Sequence, residues 1–241
     1  MHAPSESIQP PPGEFATLLR GETAAISAWS ETWNARRLAA HLAIIVLGAG
    51  LYGAAMGGWR APQQALFVAI KFPLIILLTT LGNALINGML APQLGLNIPF
   101  RQSFAAIVMS FAITSAILGA FSPLIAFMVW NAPLMSSSGS SAAAYALIKL
   151  AHVAVITFAG TVGNARLFQL LTHLGGSQDA ALRVLFAWFA GNFFLGSQLS
   201  WRLRPFIGSP DLPVQFFRDD ALHGNFYENI FNTIAHFFLT N

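Results

Sequence analysis

Two lysines lie where a charged side chain is costly. Lys71 and Lys149 each stand about six residues inside a long apolar stretch, and neither stretch contains an aspartate or a glutamate. At 1.5 Å per helical residue, both ammonium groups are predicted roughly 9 Å below the helix start. Such a lysine either extends its stem to the membrane surface or binds an anion. The candidate anions are a lipid phosphate, a solute, and the carboxylates of Asp219 and Asp220 in the C-terminal tail.

His152 is a further titratable group inside an apolar stretch. It follows Lys149 by three positions, so we predict that the two side chains share one helix face. A neutral histidine bonded to a neighbouring carbonyl is the more common arrangement, and membership of the anion site is the alternative.

Asparagines close to glycines form the second polar pattern within the apolar stretches. Asn83 and Asn87 lie one turn apart, while Asn164 and Asn192 each follow a glycine. In lipid, glycine lets two helix backbones approach, and an amide side chain forms hydrogen bonds across the contact. We therefore favour helix packing over a solute path for this set of residues. The set is Gly82, Asn83, Asn87, Gly163, Asn164, Gly191 and Asn192.

The sequence lacks signatures of catalysis and of cofactor or metal binding. None of its apolar stretches contains a carboxylate, which argues against proton-coupled antiport, intramembrane aspartyl chemistry and carboxylate metal sites. The six histidines are scattered without ligand spacing. A phosphate-binding glycine loop and an HExxH pattern are also missing. We predict a protein that is not an enzyme and has no catalytic residue, cofactor or metal.

The elements that position these groups follow from the composition. Charged residues make up 9% of the 241 residues and hydrophobic residues 55%, whereas a soluble domain is about 25% charged. Five apolar stretches are long enough to cross a hydrocarbon core, which takes about 20 residues. They are Leu38–Gly58, Ala65–Leu90, Phe104–Trp130, Ala143–Gly163 and Ala181–Ser200. The sequence thus predicts an all-α fold, a polytopic membrane helix bundle of about five transmembrane helices.

Charge and cysteine content narrow the classes of partner. The chain has no cysteine, which excludes disulfides and thiolate metal sites. The net charge is only +3, and no basic stripe with interleaved aromatic residues is present. We therefore predict no nucleic-acid partner. The predicted partners are the lipid bilayer, including anionic lipid, and other membrane-protein subunits.

Four segments are predicted along the chain. They are a disordered tail (1–13), an amphipathic N-terminal helix (14–36), the transmembrane bundle (37–201), and an extramembrane proline-rich segment with an amphipathic C-terminal helix (202–241). Within the bundle, residues 167–179 are predicted to be a short polar link. Pro123 leaves open whether the stretch at 104–130 is one span or a broken one.

The C-terminal helix carries the clearest amphipathic pattern in the chain. Asp219 and Asp220 are predicted to cap its start. Its predicted apolar face consists of Leu222, Phe226, Ile230, Phe231, Ile234, Phe237 and Phe238. We also predict that Asp219 or Asp220 pairs with one of the two lysines, with Arg202 or with Arg204.

Arginines indicate the orientation of the bundle. With five spans, the N-terminal side collects Arg20, Arg36, Arg37, Arg101, Arg166 and Arg183. The opposite side collects Arg60, Arg202, Arg204 and Arg218. The excess predicts a cytoplasmic N-terminus, since cytoplasmic loops are enriched in basic residues.

A short pattern occurs twice. "TLGNAL" begins at Thr80, and "TVGNARL" begins at Thr161. Both lie toward the same end of their apolar stretches, each after a lysine near the other end. Parallel two-helix repeats would produce this arrangement, and chance similarity in apolar sequence is the favoured explanation.

Two blocks of sequence resemble a known family. They are "KFPLIILLTTLGNALINGMLA", with "FRQSF" soon after it, and "GSQLSWRLRPFIGSP", with "GNFYE" further on. They are similar to an uncharacterised family of bacterial inner-membrane proteins. Some members of that family carry the label "actin-binding WH2 domain-containing", but the basic LKKT-like strand of a WH2 motif is missing here. The five-span layout is also similar to the Yip1 group, although that group's short acidic motif is absent. The resemblance implies a location in the bacterial inner membrane and no residue roles.

We hypothesise a non-enzymatic integral membrane protein that acts as a scaffold or accessory subunit of a larger membrane complex. The alternative is a channel or carrier for a small solute or anion that uses Lys71 and Lys149. A polar cavity that reaches both lysines would favour transport, whereas a packed bundle with lipid-facing grooves would favour the scaffold.

Overall fold

The computed structural model describes residues 34–135, 139–209 and 212–239 together with Thr17 and Arg20. Helices are the only regular secondary structure in these residues. The helices are α1 (Ala35–Gly57), α2 (Pro62–Gln93), α3 (Phe100–Trp130), α4 (Gly139–Gly175), α5 (Gln178–Leu203) and α6 (Phe226–Leu239). The first five are long and apolar enough to cross a membrane. The predicted all-α membrane bundle with five spanning helices is confirmed.

The start of the bundle is set by Asn34. Its backbone is extended, and its side-chain oxygen accepts hydrogen bonds from the amides of Arg36 (3.0 Å) and Arg37 (3.2 Å). This N-cap begins α1 at Ala35, so the predicted N-terminal helix (14–36) cannot continue unbroken into the bundle. The predicted tail at 1–13 lies outside the described residues, as do all but a few residues of that helix.

The fourth helix is longer than the sequence suggested. It runs to Gly175, and only Gly176 and Ser177 separate it from α5. The predicted polar link at 167–179 is therefore wrong. Gly176 has a φ of 65°, and the Ser177 hydroxyl oxygen caps α5 by accepting from the amide of Ala180 (3.3 Å). The two helices are therefore joined by a turn of two residues.

Pro123 lies inside α3 without breaking it. A proline has no amide hydrogen, so the carbonyl of Gly119, four residues earlier, loses its helical donor. The Ser122 hydroxyl donates to that carbonyl (2.7 Å). Residues 100–130 are consequently one continuous helix, which answers the question that the sequence left open.

Glycines set how closely the first three helices pack. A Cβ atom on Gly48 of α1 would overlap the backbone carbonyl of Ser115 on α3, and one on Gly53 would meet the carbonyl of Val68 on α2 at 2.5 Å. Half of the most apolar part of α3 is buried inside the protein, whereas the buried share is 22% in α4 and in α5. α3 is therefore the central helix, and α4 and α5 present the larger surfaces to lipid.

The C-terminal helix begins later than predicted. Asn225 caps α6, because its side-chain oxygen accepts from the Glu228 amide (2.9 Å) while its side-chain nitrogen lies 3.3 Å from the Glu228 carboxylate. Asp219 and Asp220 lie in a turn before the helix, so the prediction that they cap it is wrong. Leu222 is 83% exposed and lies outside the helix.

Candidate functional site

Lys71 is the most unusual group in the folded chain. Its side chain has no accessible surface. The Nζ atom donates to the carbonyl oxygens of Pro205 (3.2 Å) and Gln215 (3.5 Å). It also lies 4.9 Å from the ring centroid of Phe216 and 5.9 Å from that of Phe67. The cation is thus stabilised by backbone dipoles and aromatic faces.

Gln64 binds the same backbone. It lies seven residues before Lys71 on α2, two turns away on one face, and is 1% exposed. Its side-chain nitrogen donates to the carbonyls of Pro205 and Phe206, both at 2.9 Å. We call Gln64 and Lys71 the carbonyl clamp, and residues 204–209 and 212–225 the C-terminal loop. The four hydrogen bonds described for the clamp go to main-chain oxygens of this loop, so the clamp holds the loop against α2.

The predicted acidic partners lie elsewhere in this loop. Asp220 accepts a hydrogen bond from Arg204 (2.9 Å), which is one of its four predicted partners. The Asp220 side chain is 61% exposed. Asp219 is exposed. Within the described part of the chain, Lys71 contacts neither carboxylate. Carbonyl groups of the loop thus contact Lys71 and Gln64 of α2, whereas the ion pair between Arg204 and Asp220 lies within the loop itself.

Lys149 has a different environment from Lys71. It is exposed, and its Nζ atom lies 5.2 Å from the ring of Tyr145, one turn nearer the start of α4. The lysine stem therefore extends toward the N-terminal end of α4, as expected for a lysine that brings its charge to the membrane surface. His152 is buried, and its Nδ1 atom lies 2.8 Å from the Tyr52 hydroxyl. Lys149 and His152 lie three residues apart on one helix, but the first is exposed and the second is buried, so the two groups do not form one site.

The predicted packing residues on α2 meet α5. The Asn83 side-chain nitrogen donates to the Asn192 side-chain oxygen (2.6 Å). A Cβ atom on Gly191 would overlap the Asn83 oxygen, and one on Gly82 would come within 2.6 Å of a Leu195 methyl group. Asn87 instead bonds within its own helix to the Asn83 carbonyl (3.1 Å). Its role in packing is therefore indirect.

Asn164 makes the matching contact from α4. Its side-chain oxygen accepts from the Trp188 indole (2.7 Å), and its nitrogen bonds to the Gly160 carbonyl (2.7 Å). The neighbouring Gly163 leaves room for Thr114 of α3, and its carbonyl accepts from the Ser110 hydroxyl (3.0 Å). Each asparagine of the repeated pattern thus bonds to α5. No motif had indicated Trp188 or Ser110, and the only signal was a polar atom in an apolar stretch.

We expect the bond between Asn83 and Asn192 to stabilise the bundle by about 1 kcal/mol, since amide bonds between helices in lipid are weak to moderate. Asn83→Ala, Asn192→Ala and the double variant, unfolded in one detergent, form a double-mutant cycle. The coupling between the two changes should be favourable. Strictly additive losses would contradict a direct bond.

Three grooves open on the lipid-facing surface. A groove of about 630 Å³ lies between α1 and α3, one of about 590 Å³ between α2 and α3, and one of about 720 Å³ between α4 and α5. Neither lysine lines any of the three. Because Lys71 has no accessible surface, there is also no space for a water molecule beside it.

Among the described residues, no group of three or more histidine, aspartate or glutamate side chains could hold a metal ion. No protein-family model, no curated protein and no solved structure matches the chain.

Proposed function

We propose that this integral membrane protein is a non-enzymatic scaffold or accessory subunit of a larger membrane complex, located in the bacterial inner membrane with a cytoplasmic N-terminus. The observation that carries the proposal is that three polar side chains of the bundle are bonded to other parts of the protein. Asn83 bonds to Asn192, Asn164 bonds to Trp188, and Lys71 bonds to the C-terminal loop. Polar groups used in this way hold helices and loop together, which supports a structural role.

The groove between α4 and α5 suits a transmembrane helix of a partner subunit. Its floor includes Gly160, where an added Cβ atom would meet nothing within 4 Å. Thr157, Thr161 and Ala165 also line it. Small residues in this arrangement allow a second helix to approach closely in lipid. Other membrane proteins are therefore the proposed partners, alongside the bilayer itself.

The closed surroundings of Lys71 support the scaffold over the transport alternative. A carrier that used Lys71 would need the C-terminal loop to leave the carbonyl clamp, and Lys149 faces outward. Chloride flux into proteoliposomes of the purified chain tests this alternative. We expect a flux no greater than that of protein-free vesicles. A flux that Lys71→Met abolishes would favour the carrier.

Partner capture tests the scaffold directly. The tagged full chain, purified from its native membrane in a mild detergent, should retain at least one membrane protein in fixed proportion. Gly160→Leu fills the groove and should reduce that recovery by about tenfold, a loss of about 1.4 kcal/mol in binding. Ala154→Leu is the matched control, because Ala154 is exposed on α4 outside the groove. Equal recovery with both variants, or no stoichiometric partner for the parent, would contradict the proposal.

The orientation is tested by paired reporters. Five spans place the two ends of the chain on opposite sides of the membrane, and we propose that the N-terminal end is cytoplasmic. A cytoplasm-active reporter should function at Met1, and a periplasm-active reporter at Asn241. Activity of one reporter type at both ends would refute the five-span arrangement, while exchanged activities would refute only the orientation.

A further inference from the structure

The first turn of α6 is bonded to the side of α5. The Phe226 amide donates to the side-chain oxygen of Gln198 (3.4 Å). The Tyr227 hydroxyl accepts from the Ser197 hydroxyl (3.0 Å) and donates to the Phe193 carbonyl (3.3 Å). Three separate contacts therefore fix where α6 begins along the axis of α5.

This contact lies at membrane depth. α5 has 26 residues, so it is about 39 Å long against a hydrocarbon core of about 30 Å. An equal division of the excess leaves about 4.5 Å of helix outside the core at each end. Gln198 lies five residues before Leu203, which is about 7.5 Å along the axis. The start of α6 therefore lies near the boundary between headgroups and acyl chains.

The apolar surface of α6 continues that of α5. The Tyr227 ring stacks on Phe194, with centroids 6.0 Å apart and planes inclined by 13°. Phe194 is 58% exposed and belongs to a lipid-facing row on α5 with Phe186, Phe189 and Phe193. Beyond the first turn, Ile230 is 43% exposed and Phe231 is 71% exposed. The described residues of the chain leave these two side chains uncovered.

We propose that α6 is an interfacial helix that lies in the plane of the membrane, with Ile230 and Phe231 inserted among the acyl chains of the leaflet at the C-terminal end of α5. Glu228 and Asn232 are exposed as well and face the headgroups. Residues 226–239 contain no lysine or arginine. Acyl chains, and not anionic headgroups, are therefore the ligand of this surface.

A pair of single-cysteine variants tests the proposal. The chain has no cysteine, so Ile230→Cys and Asn232→Cys each give one site for a nitroxide label. The two positions are two residues apart and both exposed in the protein, so only the membrane distinguishes them. In phosphatidylcholine vesicles, the ratio of oxygen accessibility to nickel-chelate accessibility should be about tenfold higher at 230 than at 232. The same ratios should hold when phosphatidylglycerol is added and in 1 M salt.

Three other results would overturn it. Equal, nickel-accessible labels at both positions would place α6 in water. A label at 230 that is shielded from both reagents would show a protein contact, and spectral narrowing on dilution with unlabelled chain would identify a second copy as the cover. A difference that appears only with phosphatidylglycerol would assign the binding to headgroup charge.

Discussion

Gly48→Leu should prevent the bundle from closing. The added side chain would meet the Ser115 carbonyl and lie near Gly119, and both belong to backbone that cannot rotate away. Inserting side-chain atoms into a close-packed site typically costs about 1–3 kcal/mol, and a backbone obstacle places this variant at or above the upper end. We expect the variant to lose its cooperative thermal transition in detergent and to accumulate poorly in membranes.

Leucine variants at two other glycines are compared with Gly48→Leu. Gly82→Leu would meet only the end of the Leu195 side chain, which can move, so a smaller loss of thermal stability is expected. Gly160→Leu has open space around it and should unfold at the temperature of the parent. The order of unfolding temperatures should be Gly160→Leu, then Gly82→Leu, then Gly48→Leu. An equally stable Gly48→Leu variant would mean that α1 and α3 do not cross at this point.

Lys71→Glu should release the C-terminal loop. The carboxylate would face the carbonyl oxygens of Pro205 and Gln215, which are acceptors, and the ring of Phe216. An unsatisfied buried polar group costs about 1–3 kcal/mol and a charged one more. Because each 1.4 kcal/mol changes a population tenfold, we expect chymotrypsin to cleave at Phe216 and Phe217 at least about tenfold faster in detergent.

Matched variants separate the carbonyl clamp from general charge effects. Lys149→Glu makes the same change at an exposed position and should leave cleavage unchanged. Lys71→Met keeps the stem, and Gln64 still donates to Pro205, so an intermediate rate is expected. Asp220→Lys should have little effect, because exposed ion pairs contribute little. Parental cleavage of Lys71→Glu would show that the clamp does not hold the loop.

The parts of the fold that apolar composition determines could be predicted from the sequence. The five spans depend on length and hydropathy, and their number was right. The end of α4 was missed because Gln169, Thr172 and His173 make residues 167–179 more polar than the apolar stretch before them. Leu167, Leu170 and Leu171 nevertheless recur at helical spacing, and all three are buried. Periodicity was the better guide there than mean polarity.

The environment of Lys71 could not be predicted in the same way. A lysine inside an apolar stretch suggests an anion as its partner, yet the partners of Lys71 are main-chain carbonyls, and every residue carries one. Their positions depend on how the C-terminal loop folds, which no local pattern encodes. The glycine and asparagine residues were easier, because their types in lipid predict contact between helices. Which helix each would meet still required the structure, as Asn83 with Asn192 illustrates.

The carbonyl clamp also has a consequence for biosynthesis. Lys71 and its acceptor Gln215 are 144 residues apart in the chain. At elongation rates of about 5–20 residues per second, Lys71 is synthesised about 7–29 s before that acceptor. During this interval the ammonium group must be solvated by water, by lipid phosphates or by the insertion machinery. The C-terminal loop thus supplies the acceptors for a side chain that was made much earlier, and a ribosome that stops before this loop would leave the Lys71 ammonium group without them.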